Sequence, residues 1–190
     1  TWALVDSGGS AVSERAKVAL SSDGTALAVW RESNPGDSNY SMKAARYTPT
    51  SGWGAAESIE TLVTNVTDAN PAVTIDTQGN GIAMWQQGGN NAIHYNIYRA
   101  GSGWQGAVEV VGQSNGLGSA SIQLAMTPDG RALAVWSGGG AFSNLNSMQY
   151  NPATGWTTPV IVDEYNINRR MQMDNNGQAV MVYSPRFVAP

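Results

Sequence analysis

One phrase occurs four times in this chain, and its recurrence limits the fold more than any other feature. The copies are Leu20–Trp30 (LSSDGTALAVW), Ile75–Trp85 (IDTQGNGIAMW), Met126–Trp136 (MTPDGRALAVW) and Met173–Tyr183 (MDNNGQAVMVY). Their central glycines, Gly24, Gly79, Gly130 and Gly177, lie 55, 51 and 47 residues apart. A second phrase interleaves with the first: Tyr47 then Gly52-Trp53, Tyr98 then Gly103-Trp104, and Tyr150 then Gly155-Trp156. Trp2 stands 51 residues before Trp53 and reads as the same tryptophan in a copy that lost its front.

Within residues 15–62 the local patterns are those of strands and turns. Arg15–Leu20 alternates, with Ala16, Val18 and Leu20 on one face and Lys17 and Ala19 on the other, which predicts a strand. Ser21–Gly24 is a turn, where glycine accepts a positive φ. Ala26–Trp30 is a denser apolar strand, and Glu32–Asn39, with Pro35-Gly36, is a longer loop. Ser41–Tyr47 is a third strand, Thr48–Gly52 a turn and Trp53–Ile59 a fourth strand. No helical stripe with a cap is found.

Four antiparallel strands repeating at about 50 residues describe a β-propeller blade, with an open solenoid as the rival. The expected fold is therefore all-β, a single domain over residues 1–190. Its blades are 15–62, 70–113, 121–164, and a split fourth at 168–190 completed by residues 1–6, with Arg186–Ala189 as its third strand. Three closures stay open: a four-bladed ring, a ring shared between two chains, and part of a larger propeller. Six and four residues before each glycine stand apolar side chains, Val18 and Leu20 in the first copy, expected in the core between sheets. Seven and five before stand small or polar ones (Lys17, Ala19, Ala72, Thr74, Gln123, Ala125, Arg170, Gln172), as expected along a narrow axial channel. Ala28, Ala83 and Ala134 recur where sheets should approach closely.

Bulk properties exclude several functions. The length suffices for one proper core. The absence of cysteine removes disulfides, thiolate metal sites and a thiol nucleophile. A formal charge of −4 with two lysines, Lys17 and Lys43, argues against nucleic acid or an anionic membrane as partner. No apolar run approaches the roughly 18 residues of a membrane span. The start at Thr1, without Met, reads as a processed or trimmed chain. Few charges, many small polar residues and seven Trp suit a secreted or cell-surface bacterial protein.

The blade phrase, Asp/Asn-x-x-Gly-x-Ala-x-Ala-Val-Trp followed by Ala-x-Tyr-x-x-x-x-Gly-Trp, resembles repeats of bacterial secreted or lipoprotein-anchored β-propeller proteins of poorly defined function. The resemblance covers nearly the whole chain and implies fold more than activity. Ser22-Asp23-Gly24 also resembles, faintly, the Asp-box hairpin of sialidases. The spacing departs from that box, since Trp30 stands six after the glycine. In sialidases the box is a structural turn, so the resemblance implies no hydrolysis.

Candidate sites follow from the repeat. Trp30, Trp85 and Trp136 share one position, and aromatic faces bind sugar rings. Periodic aromatics also pack between the blades of a propeller, which is the favoured reading of these three. The polar residues after them, Arg31-Glu32 and Gln86-Gln87, offer planar donors and acceptors for hydroxyls on variable loops. The leading expectation is thus a non-catalytic binding module for a glycan or cell-surface polysaccharide, at Trp30, Arg31, Glu32, Trp85, Gln86, Gln87 and Trp136. The second is a structural or adhesin segment that completes its ring as a homo-oligomer. The third is a glycan hydrolase or lyase, with Glu32, Asp37, Asp68 and Glu164 as loop carboxylates and Arg15, Arg31, Arg169 and Arg170 as cations. His94, the one histidine, has no acid beside it in sequence to orient it and reads as structural. No cofactor is expected. Calcium at Asp76–Gly79 or Asp174–Gly177 is disfavoured against simple turns.

Overall fold

The computed structural model describes residues 12–33, 36, 39–60, 71–88, 92–114, 121–138, 144–163 and 166–185. These residues form strands, turns and loops, with no helix among them, and so none long and apolar enough to cross a membrane. Sheet 1 comprises β1 (Ser13–Leu20), β2 (Ala26–Ser33), β3 (Tyr40–Thr48), β4 (Gly52–Trp53) and β5 (Glu57–Ser58). Sheet 2 comprises β6 (Ala72–Ile75), β7 (Gly81–Gln87), β8 (Ala92–Arg99), β9 (Gly103–Trp104) and β10 (Val108–Ser114). Sheet 3 comprises β11 (Ile122–Met126), β12 (Ala132–Ser137), β13 (Leu145–Asn151), β14 (Gly155–Trp156) and β15 (Val160–Asp163). Sheet 4 comprises β16 (Asn166–Met173) and β17 (Ala179–Pro185).

Each five-stranded sheet runs antiparallel in chain order, and its last two strands share the outer edge of the third. The single fourth strand expected over Trp53–Ile59 is therefore two pieces. Gly54 still donates its N–H to the Arg46 carbonyl (2.8 Å) and Ile59 to that of Met42 (2.9 Å), so the segment stays bound to β3 between them. Glu32 and Ser33, expected in a loop, extend β2 and pair with Ser41 and Tyr40.

The repeated glycine closes each first hairpin. At Ser21, Asp76, Thr127 and Asp174 the backbone N–H reaches the carbonyl four residues on (2.8, 2.8, 2.8 and 2.9 Å), and the turn glycine donates back to the same residue. The glycines hold φ of +83°, +81°, +87° and +87°, as a type I turn followed by a left-handed residue requires. Two side-chain solutions support one backbone. Asp76 and Asp174 stand first in the turn and accept the N–H groups two and four residues on. In the other two copies Asp23 and Asp129 stand third, and Ser or Thr takes the first place.

The sheets stack in order, with β1, β6, β11 and β16 adjacent in sequence along the stack. Val29, Met42, Ala44 and Ile59 of sheet 1 pack on Ala83 and Trp85 of sheet 2. Ile82, Met84 and Ile93 pack on Ala134, Trp136 and Met148 of sheet 3. Val135 and Leu145 pack on Met171 and Met181 of sheet 4. At Gly81 the seam between sheets 1 and 2 is tight: a Cβ there would stand 2.3 Å from Leu27 Cδ1 of sheet 1, and 2.7 Å from the Thr74 carbonyl oxygen of its own sheet.

Two sequence expectations are corrected here. Ala72 and Ala125, assigned to a channel lining, are partly buried and pack against the clusters between sheets, because the neighbouring sheet covers that side of the first strand. Conversely, Val18 and Leu20, assigned to the core, are 65% and 72% exposed. At the other end of the stack Val180 and Val182 are 70% and 71% exposed. The described residues do not close into a ring. Residues 1–6 and Arg186–Ala189, expected to complete the fourth copy, lie outside the described residues.

Candidate functional site

The three equivalent tryptophans occupy β2, β7 and β12 and are interior, at 3%, 0% and 0% exposure. Trp85 and Trp136 face the preceding sheet, and Trp30 packs with Ala28, Ala45, Trp53 and Ala56. No ring face is open for a sugar to stack on. Each polar residue two places on shares the tryptophan's face, because strand side chains alternate. Trp30 Nε1 donates to Glu32 Oε2 at 3.1 Å, and Trp85 Nε1 to Gln87 Oε1 at 2.9 Å. Glu32 also accepts from the Ser13 hydroxyl at 3.1 Å. Glu32 and Gln87 thus satisfy buried indoles, which an apolar interior demands. In sheet 3 the corresponding place is Gly138.

Arg31 and Gln86 lie on the opposite strand face and are also buried. Arg31 reaches Glu14 Oε2 through Nη2 at 2.5 Å and Nε at 3.1 Å, and its guanidinium stands 4.1 Å from the Tyr40 ring centre. The structure therefore brings Arg31, Glu32 and Trp30 together in sheet 1 and Trp85, Gln86 and Gln87 together in sheet 2. In both it turns them inward.

Beside Trp85 lies a residue that the sequence reading set aside. Trp85, His94 and Glu109 are directly paired across β7, β8 and β10. The His94 ring stacks on Trp85 at 6.3 Å between centroids, with an interplanar angle of 19°. Its Nδ1 is 3.3 Å from the Ala92 carbonyl, while Nε2 is buried with no hydrogen-bond partner and stands 4.0 Å from Glu109 Oε2. Burial pushes the His94 pKa below its ordinary 6.5, and the Ala92 carbonyl and the Glu109 charge oppose that shift.

The glycine turns lie along the opposite rim, one in each sheet, at the far ends of the strands from Gln87. Hydrogen bonds hold three carboxylates below the usual range: Asp23 through the Thr25 N–H, Asp129 through the Thr127 hydroxyl, and Asp174 through the Gln178 N–H. The Asp76 and Asp174 oxygens considered for calcium are occupied by their own turn amides. Among the described residues no three His, Asp or Glu gather where they could hold a metal ion. Grooves open between sheets along this rim. One of about 170 Å³ lies beside Asp76, Arg99 and Tyr150, and one of about 340 Å³ beside Arg131, Gln149 and Met173.

Catalytic geometry is not assembled from the candidates that are described. Glu32 is bonded to Trp30 and Ser13, while Asp37, Asp68 and Glu164 lie outside the described residues. Arg15 and Arg31 belong to sheet 1 and Arg169 and Arg170 to sheet 4, at opposite ends of the stack.

Several side chains tie sheet to sheet that sequence reasoning missed. Asn96 Nδ2 donates to the Ile59 carbonyl (2.8 Å), Arg99 to the Tyr150 hydroxyl (2.8 Å) and Thr77 to the Pro128 carbonyl (2.7 Å). Gln123 Oε1 accepts the Met171 N–H (2.6 Å). A signal was present for Asn96, which stands where the other copies hold Ala45 and Met148.

No protein-family model matches the chain, and no curated protein matches its sequence. Among solved structures it is similar to a protein of unknown function from Dyadobacter fermentans DSM 18053, at 9% identity and a TM-score of 0.40. That match covers 90% of this chain and 74% of the other. At this distance neither fold nor function is transferred.

Proposed function

We propose that this chain is a non-catalytic assembly module of β-propeller type, with each sheet a blade and each end of the stack a seat for a further blade. One observation carries the reading. The positions of Leu27, Val29, Ile82, Met84 and Val135 are at most 2% exposed where a next sheet covers them, whereas the equivalent Val180 and Val182 are 70% and 71% exposed. Val18 and Leu20 show the same contrast at the other end, since their counterpart Ile75 is 8% exposed. Apolar side chains placed for contact and left in water mark an interaction surface. The composition supports a secreted or cell-surface setting for it. The glycan-binding reading loses the aromatic platform on which it rested, because the tryptophans are interior. The hydrolase reading loses Glu32, which is held by Trp30.

Two copies joined in one chain by a flexible Gly/Ser linker test the proposal. The linker supplies an effective concentration of about millimolar, which favours blade-on-blade contact. The tandem should melt at a higher temperature than the single chain and bind less of an apolar-surface dye per copy. A tandem that melts with the single chain and binds the same dye per copy would show that the ends accept no blade.

A further inference from the structure

We infer that the blade seated on each end is contributed by a second copy of this chain, so that two chains pair head to tail and close one ring of eight sheets. The inference rests on the assembly reading above and names its partner. Inside the chain one contact type recurs three times: the forward face of one sheet meets the rear face of the next. The forward face carries the third and fifth residues after the turn glycine (Leu27 and Val29, Ile82 and Met84, Leu133 and Val135). The rear face carries the sixth and fourth residues before it and the fourth and sixth after (Val73, Ile75, Ala83 and Trp85 in sheet 2).

The outermost sheets each leave apolar side chains of one such face exposed, one face of each kind. Sheet 4 presents a forward face with Val180 and Val182, paired across the strands with Gln172 and Arg170. Sheet 1 presents the rear side of β1, with Val18 and Leu20 exposed, while Ala26, Ala28 and Trp30 on the same face of β2 are buried. Each end therefore has the chemistry that the other end takes. Val18, Leu20, Val180 and Val182 are all exposed in the same molecule. A second copy offers both missing faces at once, and two such contacts bury all four side chains. Pairing like with like fits less well: forward on forward would bring two Arg170 guanidinium groups together across a dyad. Closure also removes a hazard, because a head-to-tail contact that fails to close grows into filaments.

Native mass and light scattering on the full chain test this directly. At about 100 μM, where even a micromolar Kd gives mostly dimer, the chain should appear at twice its 20.0 kDa. Val180→Asp with Val182→Asp should be monomeric, and so should Val18→Asp with Leu20→Asp. An equimolar mixture of the two variants should again form dimers, because one forward and one rear face stay intact between them. Circular dichroism establishes that each variant is folded, and serine at the same positions replaces aspartate where it is not. A monomeric parent chain, a ladder of larger species, or either variant dimeric on its own would overturn the ring of two. If the parent is monomeric while the linked tandem gains stability, the ends accept a blade held near them but free chains do not close the ring, so the ring of two falls and the assembly reading stands. If the tandem also gains nothing, both fall.

Discussion

Gly81 shows how much one missing methyl decides. The other copies hold Ala26, Ala132 and Ala179 at this place, but here Leu27 of the neighbouring sheet fills the space a Cβ would need. Gly81→Ala should cost about 1–3 kcal/mol by overpacking, measured by denaturant unfolding. Leu27→Val in that background should recover part of the loss, since the Thr74 carbonyl still blocks the rest; no recovery would locate the strain elsewhere. His94 gives a second test at this scale. Its neutral form is the one the interior accepts, so the unfolded chain binds the proton more readily than the folded one. Stability should therefore be full above pH 6.5 and fall as the pH drops below that value toward the lower folded pKa. The turns hold Asp23, Asp129 and Asp174 below the ordinary carboxylate value, shifting their titration away from that of His94. His94→Gln should flatten the profile, and an unchanged slope would show that another group titrates there.

At the scale of the element, the second repeated phrase is an aromatic clasp. Tyr47 and Trp53, Tyr98 and Trp104, and Tyr150 and Trp156 pair directly across the third strand and the strand that follows it. Their ring centroids stand 5.4, 5.4 and 5.2 Å apart, tilted by 60°, 71° and 56°. A double-mutant cycle on Tyr98→Leu and Trp104→Leu should give a coupling of about 0.5–1.5 kcal/mol, typical of edge-on aromatic pairs; additive single effects would leave the clasp without energetic content. Ala83, fully buried against sheet 1, should tolerate leucine only at a cost of about 1–3 kcal/mol, read from the shift in unfolding midpoint. These elements were legible in the sequence because turn glycines and strand alternation act locally. The fate of Trp30, Trp85 and Trp136 was not. An aromatic on an alternating strand looks the same whether its face meets a neighbouring sheet or solvent, and the indole partners Glu32 and Gln87 looked like ligand arms. The sheet-to-sheet bonds of Arg99 and Thr77 span 51 residues each, beyond any local pattern.

For the whole molecule, stability should be graded along the stack. Sheet 2 is covered on both sides, while β17 pairs with β16 alone among the described residues and exposes Val180 and Val182. Amide exchange on the Val180→Asp/Val182→Asp chain should thus be slowest in β7 and β12 and at least tenfold faster in β16 and β17, as for elements with few buried contacts. Uniform protection would mean that the sheets unfold as one unit. The same stack also has a fixed order, and the pairing of Leu27 with Gly81 shows how such an order is written. Four copies built to one plan would be exchangeable if every seam were alike, and a chain of exchangeable parts has no single sequence of neighbours to settle into. A seam where a glycine makes room, while alanine stands at the same place elsewhere, differs from its neighbours and so carries an address. Shuffling the copies while keeping every residue would scramble that address, so the repeats behave as numbered parts.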